Sequence, residues 1–486
     1  MKKGSITCYL CMILLVILSM IFAAYYSARQ AAGRVVLASG LEQGLYSEFA
    51  QYDRELFDKY GLLFADASMQ TGKLQMGDFL KEVRENTEYI TDPDKGSAIS
   101  PGKDILGIKL TGSAVTGYVL ASDAKGMAFR RQVCEMMTSR LGLTAIRAIG
   151  AHTEDEKSRI DAAKTQRSDI TEESAAEQYL RDEQSGSLDK PPAPESMPPE
   201  VKSGKKNPIE VVRNLRRYGN LYVVEPDLSG ISNETIDLSQ VYSGRSHESG
   251  MCMAPTPWNK GVENLCIGEF LAEDFPCYTN PMDEKGLKYQ VEYAIGHKAS
   301  DAQNLKAVID RIIAVREFMN VLQIYSDDEK RQEAERVGKE LAQIIEQGET
   351  APAFSFAVML AWAYGESICD CKVLLEGGKV SLWKSKEEWQ MPLGGLIMLE
   401  QVAEYVHRGS DQGMNYEEYL RMLLFTESTE KLTNGAMDLV EMNMRNVENA
   451  GNFRLDCCID AVEVELNAGI DKNVYTIRRS YGYDMK

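Results

Sequence analysis

The chain has 486 residues, 44% of them hydrophobic and 26% charged, and a formal net charge of −19. That composition belongs to folded domains rather than to disordered or collagen-like chains, and at about 150 residues per domain the length holds two or three of them. The negative charge removes the general electrostatic footprint of a nucleic-acid binder, and a mean hydropathy of −0.30 excludes a polytopic membrane protein.

Lys2 and Lys3 precede a run from Ile6 to Tyr26 that is free of charge, proline and glycine. As a helix centred near Leu15 it rises about 31 Å, which matches a hydrocarbon core of about 30 Å. Tyr25 and Tyr26 stand where an interfacial aromatic belt would lie. A cleaved secretory signal is the competing reading, with Ala31-Ala32-Gly33 as its cleavage site. The apolar stretch is long for that role, so a retained transmembrane anchor in contact with lipid is expected. Lys2 and Lys3 face Arg29 and Arg34 across the span, a thin positive-inside margin. A short leading tail inserts most simply with the N-terminus in the cytoplasm, which puts the bulk of the chain outside. Cys8 and Cys11 spell C-x-x-C within the apolar run and read as small helix residues, not as a redox pair.

Beyond the anchor, Leu37, Leu41, Leu45, Phe49, Tyr52, Leu56 and Tyr60 recur in steps of three and four. This predicts that the helix continues to about Lys59, bent at Gly33 or Gly40 and closed by Gly61. Leu62-Leu63-Phe64 reads as a short buried strand. Residues 105–121 read as one or two strands around Thr111-Gly112, followed by a helix over 125–149. Residues 169–206 are rich in proline and charge and read as a solvated linker.

Asn207 and Pro208 then start a helix to about Arg217. Leu221-Tyr222-Val223-Val224 reads as a strand. Helices are predicted over 301–325, 328–347 and 352–376, from an Asn415 cap to Leu424, and over 435–448. The apolar run Phe354–Tyr364 is too short to span lipid, so it predicts a buried core helix containing Trp362. A β-hairpin ends the chain, with its turn near Gly469. The reading is α+β and helix-rich, with a single N-terminal transmembrane helix, a long N-terminal helix and a C-terminal β-hairpin. Its divisions are an inner tail and anchor over 1–27, an N-terminal extracytoplasmic region over 28–168, the linker over 169–206 and a helix-rich C-terminal domain over 207–486.

Chemistry is sparse. The chain has no P-loop, G-x-G-x-x-G, H-E-x-x-H or G-x-S-x-G. His152, His247, His297 and His407 lack metal-ligand spacing. Cys369 and Cys371 point to different sides of their helix and cannot chelate one metal. Cys252, Cys266 and Cys277 are an odd trio, and a disulfide between two of them stays open. Ser367 beside Glu366 and Asp370 has no base to activate it. Glu387-Glu388 and Glu417-Glu418 are paired acids of the kind 73 carboxylates produce by chance. No catalytic residue, cofactor or metal is expected.

Two sets of residues carry a resemblance. Lys3-Gly4-Ser5-Ile6-Thr7, the apolar run and Ser27-Ala28-Arg29 resemble the start of TadE/TadG-type pseudopilins. Tyr52-Asp53-Arg54-Glu55-Leu56, Tyr60-Gly61-Leu62, Asn207-Pro208 through Tyr218-Gly219, Tyr289 to Ala294, Asn304-Leu305, Ala361 to Ser367, Gly377-Gly378-Lys379 and Tyr416 to Leu420 resemble an uncharacterised domain family of Gram-positive bacteria. That family accompanies tight-adherence (Tad) pilus and secretion genes. The resemblance implies an envelope role beside such a machine, with pilus or secretion proteins as partners, and no catalytic residue. It also implies a prepilin-type processing site at Gly4-Ser5. Pilin-type subunits carry Glu at the fifth mature position, where it neutralises a buried amino terminus. Here that position is Tyr9, which has no carboxylate.

The leading expectation is a membrane-anchored structural or assembly accessory of a Tad-type system. The alternatives are an anchored surface-binding or adhesive module and an anchored cell-envelope hydrolase.

Overall fold

The computed structural model describes residues 3–92, 104–168, 207–258, 261–281, 285–344, 351–396, 409–448 and 450–483. The expected linker over 169–206 lies outside them, as does His407. The fold is α+β and helix-rich, with a long apolar N-terminal helix and an antiparallel C-terminal β-hairpin. The chain forms two compact units: Met1–Met136, Gly244–Gly261 and Val440–Lys486 make the first, and Met137–Ser243 and Val262–Leu439 the second.

In the first unit, helix α1 (Lys3–Phe49) runs unbroken for 47 residues, about 70 Å. Leu37, Leu41, Leu45 and Phe49, spaced by four, are buried along one face of its second half. Each such side chain contributes roughly 1.5–3 kcal/mol on burial. The chain then turns, and Asp53 caps a separate helix, α2 (Arg54–Tyr60), by accepting from the Leu56 N–H at 2.9 Å. Gly61 closes α2 in the left-handed conformation, φ 66°. The long helix therefore stops at Phe49, ten residues short of the expected Lys59, because Asp53 offers a new N-terminus. Gly33 and Gly40 do not bend it. Gly40 and Gly44 instead admit a close neighbour, helix α3 (Met76–Thr91): a β-carbon at Gly44 would lie 2.5 Å from Thr87 Oγ1, and one at Gly40 2.7 Å from Thr91 Cγ2.

Behind α1 lies an antiparallel sheet of β1 (Ala65–Asp66), β2 (Ile108–Leu120), β3 (Cys458–Ile470) and β4 (Asn473–Gly482). β3 is central. It pairs with β2 from Ile108↔Ile470 to Leu120↔Ile459 and with β4 from Ala461↔Gly482 to Ile470↔Asn473, while β1 takes its first two residues. Val462, Val464 and Leu466 of β3 meet Leu41, Leu45, Phe49, Phe79 and Val83 in one core. The hairpin turns at Asp471-Lys472 rather than at Gly469, with Asp471 left-handed at φ 56°; Gly469 stays within β3.

Leu62-Leu63-Phe64 is apolar but is not a strand. The carboxamide of Gln132, on helix α4 (Asp123–Leu141), satisfies this backbone instead. It accepts from the Leu63 N–H at 2.7 Å and donates to the Leu63 carbonyl at 2.6 Å. Gln132 Nε2 also donates to Asp460 at 2.8 Å, and Arg131 pairs with the same carboxylate at 2.7 Å.

The second unit is helical: α5 (Leu143–Ser168), α6 (Pro208–Tyr218), α7 (Asn220–Val224), α8 (Glu263–Asp274), α9 (Gln290–Gly296), α10 (Asp301–Ser326), α11 (Asp328–Ile344), α12 (Ala351–Leu375), α13 (Tyr416–Thr426) and most of α14 (Thr429–Arg445). Caps expected from sequence are present. Asn207 accepts from the Ile209 N–H, and Asn415 forms a reciprocal capping box with Glu418. Residues 221–224, expected as a strand, form the short helix α7. An apolar run of this length does not separate the two states. Asn220 decides it, by accepting from Tyr364 Oη and donating to Asp310, each at 2.9 Å. The α12 helix, buried nearly throughout from Phe354 to Leu374, packs on α10 and α11. Trp362 is 2% exposed, as expected for core, and its indole N–H donates to the Met391 carbonyl at 2.7 Å.

Candidate membrane-facing site and buried ion network

From Thr7 to Ala28 α1 is bare. Its apolar segment from Thr7 onward has no buried residue in its most hydrophobic window. Leu15, at the middle of the Ile6–Tyr26 run, is 66% exposed, and Tyr9 is 64% exposed. Gly4 and Ser5 lie in the first turn of the same helix. Apolar surface on this scale has a strong drive out of water, and the helix is long and apolar enough to cross a membrane.

The bare segment ends where the hairpin begins. Asn473 Nδ2 donates to Tyr26 Oη at 2.9 Å. One turn on, Arg29 pairs with Asp471 at 3.0 Å and donates to the Leu106 carbonyl at 3.2 Å. Gln30 donates to the Ile470 carbonyl at 3.3 Å, and the Arg34 guanidinium lies 4.7 Å from the Tyr475 ring centre. Farther along, Arg479 pairs with Glu42 at 2.6 Å and Tyr483 Oη donates to the Phe49 carbonyl at 2.8 Å. From Tyr26 to Phe49 a helix rises about 35 Å, and from Asn473 to Tyr483 a strand rises about 33 Å. The matched lengths let β4 lie along the packed half of α1. Tyr26 was legible in the sequence as an interfacial residue. Asn473 and Asp471 were not, because no local pattern links positions 447 residues apart.

The second unit holds a buried charge network, of which the sequence reading singles out only Glu366 and Asp370, beside Ser367. Glu366 and Asp370 of α12 and Arg316 of α10 are fully buried, and Lys384 is 4% exposed. Arg316 Nε pairs with Asp370 at 2.9 Å, and Nη1 donates to the Ser381 and Leu382 carbonyls at 2.9 and 3.0 Å. Lys384 Nζ contacts both Glu366 and Asp370. Asn320 donates to Asp370 and to Ser367 Oγ, both at 3.1 Å. Glu366 also accepts the Gln390 N–H at 3.0 Å and the Met391 N–H at 2.7 Å. Burial works to raise the Asp370 carboxyl, but Arg316 and Lys384 outweigh it and hold the group below its ordinary range. At Glu366 burial wins over Lys384, and the carboxyl is raised. Two cations and two carboxylates thus balance in a closed site. Its visible work is to pin residues 381–391 onto α10 and α12. Ser367 Oγ is engaged, donating to the Ala363 carbonyl at 2.7 Å.

The other sequence candidates fall in separate places. Cys252 is exposed, Cys266 and Cys277 are buried, and none of the three is in a disulfide. Glu388 accepts from Ser381 Oγ and the Ser385 N–H; burial opposes these bonds, yet they bring its pKa down to about 2. Glu418 serves the Asn415 cap. His297 closes α9 in the left-handed conformation, and burial lowers its pKa to about 4. Among the described residues no group of three or more His, Cys, Asp or Glu side chains is arranged to hold a metal ion.

No curated protein and no solved structure matches the chain. Residues 199–470 match the family of unknown function DUF5702, more than half of the sequence. The chain belongs to that family.

Proposed function

We propose that the protein is a single-pass, membrane-anchored accessory of a Tad-type pilus or secretion assembly, pseudopilin-like in its first unit, with its N-terminus in the cytoplasm and its bulk outside. The supporting observation is the division of α1: one unbroken helix, bare and apolar to Tyr26, then packed on an antiparallel sheet to Phe49. A helix so divided ties a folded head rigidly to a lipid-embedded stalk, as a pilin-like subunit needs. Tyr9, where a filament subunit carries Glu, favours an accessory at the assembly's base over a polymerised subunit. The link to Tad-type machinery comes from the sequence resemblance.

Three measurements test this. The chain should stay with membranes through a carbonate wash. Protease added to intact protoplasts should digest its C-terminal residues, and Tad-type membrane proteins should co-purify with it from detergent extracts. Protection in intact protoplasts, with digestion only after lysis, would reverse the orientation. Retention in the membrane without any Tad-type partner would leave an anchored protein of another assembly.

A further inference from the structure

We propose that one edge of the first unit, the β3–β4 turn together with the residues leading into β2, rests on the bilayer surface at the foot of α1, with Val474 and Ile105 dipping below the headgroups and Lys472 and Lys109 facing anionic lipid. This rests on the reading of α1 as a membrane span and adds how the head is held against the lipid.

The place of the edge is set by the contacts around Tyr26. The bare run of α1 ends at this tyrosine, and Asn473 at the hairpin turn bonds to it. Whatever covers the helix as far as Tyr26 therefore reaches the level of the turn. Arg29 bonds to Asp471 and to the Leu106 carbonyl, which brings both the turn and the run into β2 to the same level.

The side chains at that level suit an interface. Odd residues of β4 face α1, through Tyr475 on Arg34 and Arg479 on Glu42. Even residues face away, and Thr476, Arg478 and Ser480 are polar and exposed. Val474 is the large apolar residue on that outward face, 68% exposed, and it is the one nearest Tyr26. Ile105 is 63% exposed and lies just before Leu106. In water two such side chains gain nothing, whereas at the boundary between headgroups and acyl chains they lose apolar surface to lipid.

Charge points the same way. The chain as a whole is acidic, at −19. Among the described residues of this edge, Arg29, Arg34, Lys109 and Lys472 stand against Asp104 and Asp471. A basic rim on an acidic protein is drawn to anionic headgroups over a Debye length.

The test uses the full chain reconstituted into vesicles of phosphatidylcholine, with or without phosphatidylglycerol, and with phosphatidylcholine brominated high on its acyl chains as quencher. Val474→Trp and Ser480→Trp are compared after subtracting the emission of the four native tryptophans. The two sites share a face and lie about 20 Å apart along the strand. The Val474→Trp signal should fall by half or more, and the Ser480→Trp signal should be unchanged. Lys472→Glu with Lys109→Glu should relieve the quenching in phosphatidylglycerol vesicles, and wild-type and variant chains should float equally with the vesicles. Ile105→Trp gives a second, independent reading should Val474→Trp disturb the hairpin. Vesicle-bound chain with neither Val474→Trp nor Ile105→Trp quenched would overturn the resting edge and leave the anchor intact. Equal quenching at Ser480→Trp would mean a sheet lying flat, and quenching indifferent to the two glutamates would remove the anionic contact. Chain that fails to float would overturn the anchor itself.

Discussion

Asn473 and Tyr26 are 447 residues apart, and the Asn473 side-chain amide donates to the tyrosine hydroxyl at 2.9 Å. The bond fixes the tip of the last hairpin at the residue where α1 stops being bare. Below it the most hydrophobic window of the helix has no buried residue; above it one face of the helix, through Leu37, Leu41, Leu45 and Phe49, is core. One continuous helix therefore has a bare apolar half and a packed half, and the changeover is marked by a tyrosine with an apolar ring and a bonded hydroxyl.

The bare half yields the first prediction. Leu15→Arg together with Ile17→Arg places two charges at mid-span, each costing about 2.5–3.5 kcal/mol on insertion scales. The doubly substituted chain should leave the membrane fraction in a carbonate wash. Retention at the wild-type level would mean that lipid does not hold this segment.

The buried network gives the second. Lys384→Met strands Glu366 and Asp370 without their shared cation, and breaking a buried pair in this way costs about 3–5 kcal/mol. Adding Glu366→Gln removes one orphaned charge and should recover part of the loss. Urea unfolding of the three chains checks both statements. A loss no larger than that of a surface substitution would show the network to be idle in stability.

Trp362 carries the third. It is buried within α12 and bonded to the Met391 carbonyl. Trp362→Ala empties a large core site and should destabilise by about 3–5 kcal/mol. A melting temperature equal to that of the wild type would contradict its placement.

The fourth concerns pH. Glu292 of α9 is wholly buried. Its carboxyl is pushed up to about 7 chiefly by burial, against hydrogen bonds from the Tyr278 N–H and Tyr416 Oη. Both bonds reach one oxygen, and the other has no partner among the described residues. The folded chain therefore holds this proton more tightly than the unfolded chain, whose value is near 4.5. The contribution to stability is present below about 4.5 and is lost as pH rises through about 7, on the order of 3 kcal/mol in all. Glu292→Gln keeps an acceptor and has no proton to lose, so its stability should fall less over this window than that of the wild type, the remainder coming from other raised carboxyls such as Glu48. Unfolding free energies at mildly acid and mildly alkaline pH measure it; an unchanged slope in the variant would assign the pH dependence elsewhere.

The local features were legible from sequence alone. The apolar run to Tyr26, the leucines at steps of four, the caps at Asn207 and Asn415 and the burial of Trp362 all depend on residues within a turn or two of one another, where helix geometry and short hydrogen bonds act. Tertiary structure decided the rest. β2 and β3 pair across roughly 350 positions. Gln132 satisfies the Leu63 backbone that would otherwise seek a strand. Arg316, Asp370, Glu366 and Lys384 become a network only when α10, α12 and the chain after α12 converge. A charged residue carries the same letter whether water or protein surrounds it. Only the packed fold strips the water away, and that desolvation turns four scattered charges into one interaction.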